Sequence, residues 1–430
     1  MNPSRDKLEQ ALARIADSAG EGGRAFLRVW PSRARAAADA ADALAAAGAE
    51  RGPLAGRIVS IKDLLDIKGE PTTAGSVVLR DAPPAMSDAP VVARLAAAGA
   101  AIVGKTNMTE FAYSGVGINP HYGTPGNPYD RARIPGGSSS GAAVAVADGM
   151  CEIAIGSDTG GSVRLPAALC GIVGFKPTAR RVPTKGALPL STSLDSIGPL
   201  ARSVADCTIA DAVLAGEAPS VAPPMALDGV RLLLATTTVL DGLDAAVGAD
   251  FARALTRLSD SGARIVERKL ELIERMAEAN AGGGFAAAEA YAWHRDLLAR
   301  RAEEYDPRVR ARIERGKNMS AADYIALCET RATLAAAFDA AMEPFDAAIM
   351  PTAPFVAPKI AAFADDDEFT RLNLLLLRNT MIGNFFDLCG ISLPMSEAGA
   401  PPSGLMLLGR HGADRRLLHL AAAVEMALSS

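Results

Sequence analysis

Residues 91–106 read VVARLAAAGAAIVGKT, and the order of events within them decides the fold class. Val91–Ala98 carries the apolar spacing and alanine content of a helix, Gly99 stops it, and Ala101-Ile102-Val103 is a short buried strand. Residues 99–106 also fit the phosphate-loop pattern GxxxxGK[ST] letter for letter. That motif works only when a strand precedes the loop and a helix follows it, so that backbone N–H groups converge on phosphate. Here a helix precedes, the loop residues are themselves strand-like, and no long helix begins at Asn107. Nucleotide binding is rejected as the leading reading, and a phosphate-loop NTPase stands only as a remote alternative.

Working outward, the same rhythm of short apolar run, helix and glycine recurs. Arg57–Ile61 (RIVSI) is a β-type run, as are Val230–Ala235 and Ile265–Val266, with a helical pattern over Phe251–Ser261 between the last two. Alternating strands and helices predict an α/β fold with a mostly parallel or mixed sheet. The Ala-rich stretch 33–49 suits a surface helix, and Leu8, Leu12 and Ile15 lie at helical spacing near the amino terminus. Between about 104 and 200 Gly, Ser, Thr and Pro dominate, which predicts a long loop-rich, functional region. The Pro-rich stretch at 218–224 reads as an internal linker, and the Arg- and Glu-rich stretch 294–317 as a solvated helical face.

Composition narrows the function. In 430 residues the net charge is −5 and aromatic residues make up 5%, so there is neither a basic face nor a stacking platform for nucleic acid. Hydrophobic residues make up 49%, enough for a large core. No apolar run is long enough for a membrane span, and no signal-peptide core is visible. The five cysteines, Cys151, Cys170, Cys207, Cys328 and Cys389, form no CxxC or Cys/His cluster. Neither a disulfide framework nor a zinc site is expected, and the setting is expected to be cytoplasmic.

The chemistry lies in the loop-rich region. None of the four histidines sits in a catalytic motif, so a general base is sought elsewhere. Lys62 directly follows the RIVSI run. A lysine at a buried strand end loses solvation, which favours its neutral amine, and a neutral amine can take a proton from a serine hydroxyl. Against this stands a lysine that merely snorkels to water. Two Gly/Ser loops tip the balance, Pro135–Gly141 (PGGSSSG) and Gly156–Arg164 (GSDTGGSVR). In the second, Gly160 and Gly161 before Ser162 let backbone N–H groups converge without Cβ clashes, as an oxyanion hole beside a serine nucleophile requires.

Lys62 and these two loops together resemble the amidase signature family of serine hydrolases. The likeness continues through Leu54-Ala55-Gly56, residues 71–76 (PTTAGS), 104–111 (GKTNMTEF) and 171–178 (GIVGFKPT), with weaker echoes at 351–354 and 393–410. It is dense over about 54–200. The resemblance implies one large α/β domain spanning 1–430, a central mixed sheet flanked by helices, and a more variable substrate-shaping part at about 225–390. It implies a Ser-Ser-Lys triad: Ser162 as nucleophile, Ser138 as bridging serine and Lys62 as base, with a cis peptide at Gly137–Ser138. The backbone N–H groups of Thr159, Gly160, Gly161 and Ser162 would form the oxyanion hole, and Tyr113 is a candidate for the acyl site. No cofactor and no metal is required. Ser140 stands where the family commonly has glycine, which is tolerable if its φ is negative at the start of the following helix.

The implied activity is hydrolysis of a small carboxamide or ureide to a carboxylate plus ammonia or an amine. Homodimerisation is the default expectation for such an enzyme. The alternatives are the glutaminase subunit of a tRNA-dependent amidotransferase and, with the triad positions intact against it, a non-catalytic binding protein on the same scaffold.

Overall fold

The strands of the computed structural model, which describes residues 3–219 and 224–429, join in one sheet. In chain order they are β1 (Phe26–Val29), β2 (Ile58–Lys62), β3 (Ala101–Thr106), β4 (Ile153–Asp158), β5 (Val173–Lys176) and β6 (Ser196–Ala201). They continue with β7 (Arg231–Ala235), β8 (Arg264–Arg268), β9 (Ala347–Pro351), β10 (Cys389–Pro394) and β11 (Gly404–Gly409). Among the described residues the order across the sheet is β1-β3-β2-β4-β6-β5-β10-β11-β9-β7-β8. β3, β2 and β4 run parallel, as do β9, β7 and β8, and the other pairings are antiparallel. The expected mixed α/β sheet is the observed one.

Side chains alternate between the two faces. Ile58, Val103 and Ala154 face a cluster built with helices Pro3–Ala16, Pro31–Ala46, Ser140–Ala147 and Arg164–Cys170. Val59, Ile102, Ile153 and Ile155 face the opposite cluster, which includes helices Pro90–Ala97, Val204–Ala215, Ala245–Asp260 and Asp414–Ser429. With helices on both faces, β2, β3 and β4 are buried at every position. Because β2 and β4 are parallel neighbours, with Ile61 opposite Ile155, their carboxyl ends open side by side. In open α/β sheets that edge is where ligands sit.

Three sequence expectations are revised. Residues 101–106 are a buried strand, and Lys105 Nζ is sealed against Pro71 O at 2.9 Å and Asp63 at 3.3 Å. The phosphate-loop alternative has no loop to stand on. The region 104–200 holds β4, β5, β6 and two short helices as well as loops. These elements hide in the sequence because they are short and buried on both faces, so no apolar–polar alternation marks them. The stretch 294–317 divides into Gly284–Arg301 and Pro307–Glu314 and is only partly solvated: His294 is buried and Arg312 lines a cavity. The linker expected at 218–224 falls largely outside the described residues. No helix among those residues is long and apolar enough to cross a membrane.

Candidate active site

Lys62 ends β2 and is wholly buried. The alternation that turns Ile58 toward helix Ser140–Ala147 turns Ser60 and Lys62 the same way, toward the loop that opens that helix. Lys62 Nζ lies 2.7 Å from Ser138 Oγ, 2.9 Å from Ser139 Oγ and 2.9 Å from Ser157 Oγ. Ser139 Oγ in turn donates to Ser157 O at 3.4 Å, which leaves its lone pairs for the amine. Gly156 permits this approach, since a Cβ there would meet Ser139 Oγ at 2.8 Å. The Gly137–Ser138 peptide is cis. Ser140 opens the helix outside the positive-φ region, so a serine fits where glycine was the family habit.

Burial pushes the Lys62 amine down to about 7, against the opposing pull of Asp158 and Asp195. Hydroxyls surround the amine, and among the described residues no carboxylate is paired with it. Burial also raises the Asp195 carboxyl, to about 6, although Thr159 Oγ1 and the N–H groups of Leu190 and Ser191 donate to it.

Ser162 is nearly buried and, with Thr159 and Gly160, lines a cavity of about 420 Å³. Ser139 N donates to Ser162 O at 3.3 Å, which ties the two Gly/Ser loops together. Among the described residues no hydrogen bond joins Ser138 Oγ to Ser162 Oγ. Lys62 and Ser138 are thus in direct contact, and Ser162 stands at the cavity wall. Tyr113 is in the same wall, and its phenol is raised to about 12 by burial.

The four amides expected to face an oxyanion are not equivalent. Gly161 N–H donates to Asp158 Oδ1 at 2.8 Å and is already used, a correction to the expected set. The N–H groups of Thr159, Gly160 and Ser162 have no partner among the described residues. Gly161 has φ +136°, and a Cβ there would overlap the Thr380 side chain, so the turn admits no larger residue.

A buried network that the sequence did not disclose holds this turn. Asp158 accepts from Val163 N at 3.1 Å, from Arg164 Nε and Nη2 at 3.1 and 2.9 Å, and from Asn384 Nδ2 at 2.9 Å. Burial alone would raise the Asp158 carboxyl, but the Arg164 guanidinium holds it far below the usual range. Thr380 Oγ1 donates to Gly160 O at 2.6 Å. The turn that carries Ser162 is therefore braced from residues 380–384. Arg164→Met, which leaves Asp158 buried without its cation, is expected to cost about 3–5 kcal/mol of stability. Urea denaturation of Arg164→Met, Asp158→Asn and the double variant checks this, and the double should lose less than the sum of the singles. A loss under about 1 kcal/mol in both singles would refute the bracing role.

Among the described residues no three His, Cys, Asp or Glu side chains converge as a protein metal centre would need.

The amidase family model matches residues 6–418. The chain belongs to the amidase family. Amidases of this family are hydrolases acting on C–N amide bonds, and the chain is one of them. It is 37% identical to a 2-amino-5-chloromuconic acid deaminase of Comamonas testosteroni, covering 93% of this chain and 87% of that one. It is 35% identical to a glutamyl-tRNA(Gln) amidotransferase subunit of Synechococcus sp. (strain RCC307), covering 99% and 94%. A crystal structure of an amidase superposes with a TM-score of 0.88 at 33% identity, covering 98% of this chain and 96% of that chain. In this amidase Ser139, Ser157, Asp158, Arg164 and Asn384 are the site residues that motif reading passed over. Only the mix of Asp, Thr and Arg with glycine in residues 156–164 signalled Ser157, Asp158 and Arg164 of that set.

Proposed function

We propose that this amidase hydrolyses a small amide through an acyl-enzyme, with Ser162 as nucleophile, Ser138 as bridge and Lys62 as base. The observation that carries the reading is the Lys62 amine, buried, short of protons near neutral pH and 2.7 Å from Ser138 Oγ behind the cavity that Ser162 lines. The Lys62 lone pair accepts the Ser138 proton as Ser138 Oγ accepts the Ser162 proton, and Ser162 Oγ bonds to the amide carbonyl carbon. The amides of Thr159, Gly160 and Ser162 are the donors free to stabilise the oxyanion. The C–N bond then breaks, the proton returns through Ser138 to the leaving nitrogen, and ammonia or an amine departs. Water adds to the acyl carbon by the same relay in reverse, which frees the carboxylate product and Ser162.

The relatives named as glutamyl-tRNA(Gln) amidotransferase subunits favour a second reading, a glutaminase that works beside partner subunits. The cavity argues for the stand-alone reading. Among the described residues that line it there is no Asp or Glu to pair with the α-ammonium of glutamine. Ammonia release by the isolated chain, without nucleotide or added metal, from aliphatic, aromatic, dicarboxylic and ureide amides is the test. Release from an amide other than glutamine is expected. Release confined to glutamine, or seen only with partner subunits, would move the function to the second reading.

A further inference from the structure

Thr159 borders two cavities. One is the cavity that Ser162 lines, and the other, of about 390 Å³, has Ser157, Asp195 and Ser196 in its wall as well. A residue set against two voids loses packing partners, so its direction rests on hydrogen bonds.

Those bonds come from both sides of the Thr159 backbone. The carbonyl oxygen of Asp158 accepts from Ser196 Oγ at 3.0 Å and from Asn384 Nδ2 at 3.1 Å. The N–H and C=O of a trans peptide point opposite ways, so Thr159 N–H is turned away from Ser196 and Asn384. On the other side of the Thr159 N–Cα bond, the hydroxyl donates to Asp195 Oδ1, its sole hydrogen bond among the described residues. Fixing a β-branched side chain restricts the backbone that carries it. Thr380, bonded to Gly160 O, anchors the next peptide.

Asp195 is itself immobilised, since Oδ2 accepts from Leu190 N at 3.0 Å and Ser191 N at 3.1 Å. Among the described residues no cation is bonded to it, and burial raises its carboxyl to about 6. A carboxylate kept in that state is costly. Two of its three donors belong to its own loop, and Thr159 is the one that comes from outside.

We infer that Asp195 is a positioning residue: through the Thr159 hydroxyl it holds the Thr159 and Gly160 N–H groups in place to receive the oxyanion. This rests on the amide-hydrolysis reading and adds to it a residue outside the two Gly/Ser loops.

The test follows whichever aliphatic, aromatic, dicarboxylic or ureide amide the wild type turns over fastest. Asp195→Ala should lower kcat by about 10- to 100-fold and leave KM within about threefold, because an oxyanion donor acts mainly on the transition state. Asp195→Asn, which keeps one acceptor oxygen, should recover part of the loss. Thr159→Val removes only the hydroxyl and spares the Asp195 bonds to Leu190 and Ser191, so it serves even where Asp195→Ala fails to fold. It should lower kcat by about tenfold, and Thr159→Ser should stay within about threefold of wild type. The double variant Asp195→Ala with Thr159→Val should lose no more than Asp195→Ala alone. A Thr159→Val kcat within about twofold of wild type, a loss carried by KM, or losses that multiply in the double variant would each overturn the inference. A wild type that hydrolyses no amide counts against the hydrolysis reading, and amide hydrogen exchange over residues 156–164 then decides the hold on the turn. Faster exchange there in Thr159→Val and Asp195→Ala supports it, and unchanged exchange removes it.

Discussion

Ser162→Ala is expected to lower kcat by about 10⁴- to 10⁶-fold while the protein keeps its fold. The change deletes one oxygen at a cavity wall, and no hydrogen bond among the described residues depends on that oxygen. Melting temperature should therefore move little. On the proposed mechanism what is lost is the covalent route. The free amides of Thr159 and Gly160 and the cavity would still bind an amide and polarise its carbonyl, which leaves a residual rate above that in water. Ser138 and Ser139 also lie beside Lys62, the proposed base, so the assignment needs a positive measurement. Quenching a turnover reaction and mapping the acylated peptide by mass spectrometry should locate the acyl group on Ser162. Acylation on Ser138 or Ser139, or a Ser162→Ala variant within tenfold of wild type, would reject Ser162 as nucleophile.

Legibility followed the distance over which a feature is encoded. β2, β3 and the helix before Gly99 are local patterns, and the sequence predicts each of them. Lys62 and the two Gly/Ser loops stood out because each is a short run of unusual composition, whereas the triad roles expected of Ser138 and Ser162 came only with the family resemblance. The Asp158–Arg164–Asn384 network did not stand out, because Asn384 is 226 residues from Asp158 and nothing near it in sequence announces a partner. Arg312 was obscured differently. Its stretch is rich in charge on all sides, and composition alone does not tell a solvated arginine from one turned into a cavity. Gly161 shows the limit of motif logic at atomic scale. The motif predicts four amides facing outward, and the Asp158 carboxylate, which must be satisfied where it is buried, takes one of them inward.

Lys62→Met is expected to reduce kcat/KM by about 10³- to 10⁵-fold and to change the shape of the pH dependence as well as the rate. Methionine keeps the length and apolar stem of the side chain, so the pocket between Ser138, Ser139 and Ser157 stays filled. On the proposed mechanism the active form of the wild type is the neutral amine, present above about pH 7. The rate should therefore rise between roughly pH 6 and pH 8 and level off, and in Lys62→Met that rise should vanish. The same group leaves a mark on stability with a definite sign. The folded protein releases this proton near pH 7 and the unfolded chain near its ordinary value of 10.5. Between those values the unfolded chain holds one more proton, so the contribution of Lys62 to stability climbs with pH across that window and is least favourable below pH 7. Urea unfolding of wild type and Lys62→Met at pH 6.5, 8 and 9.5 isolates this term, because the other titrating groups cancel in the difference. The gap should shift toward the wild type as pH rises. A constant gap together with an unchanged acidic limb would mean that Lys62 is protonated throughout, and the base would have to be another group.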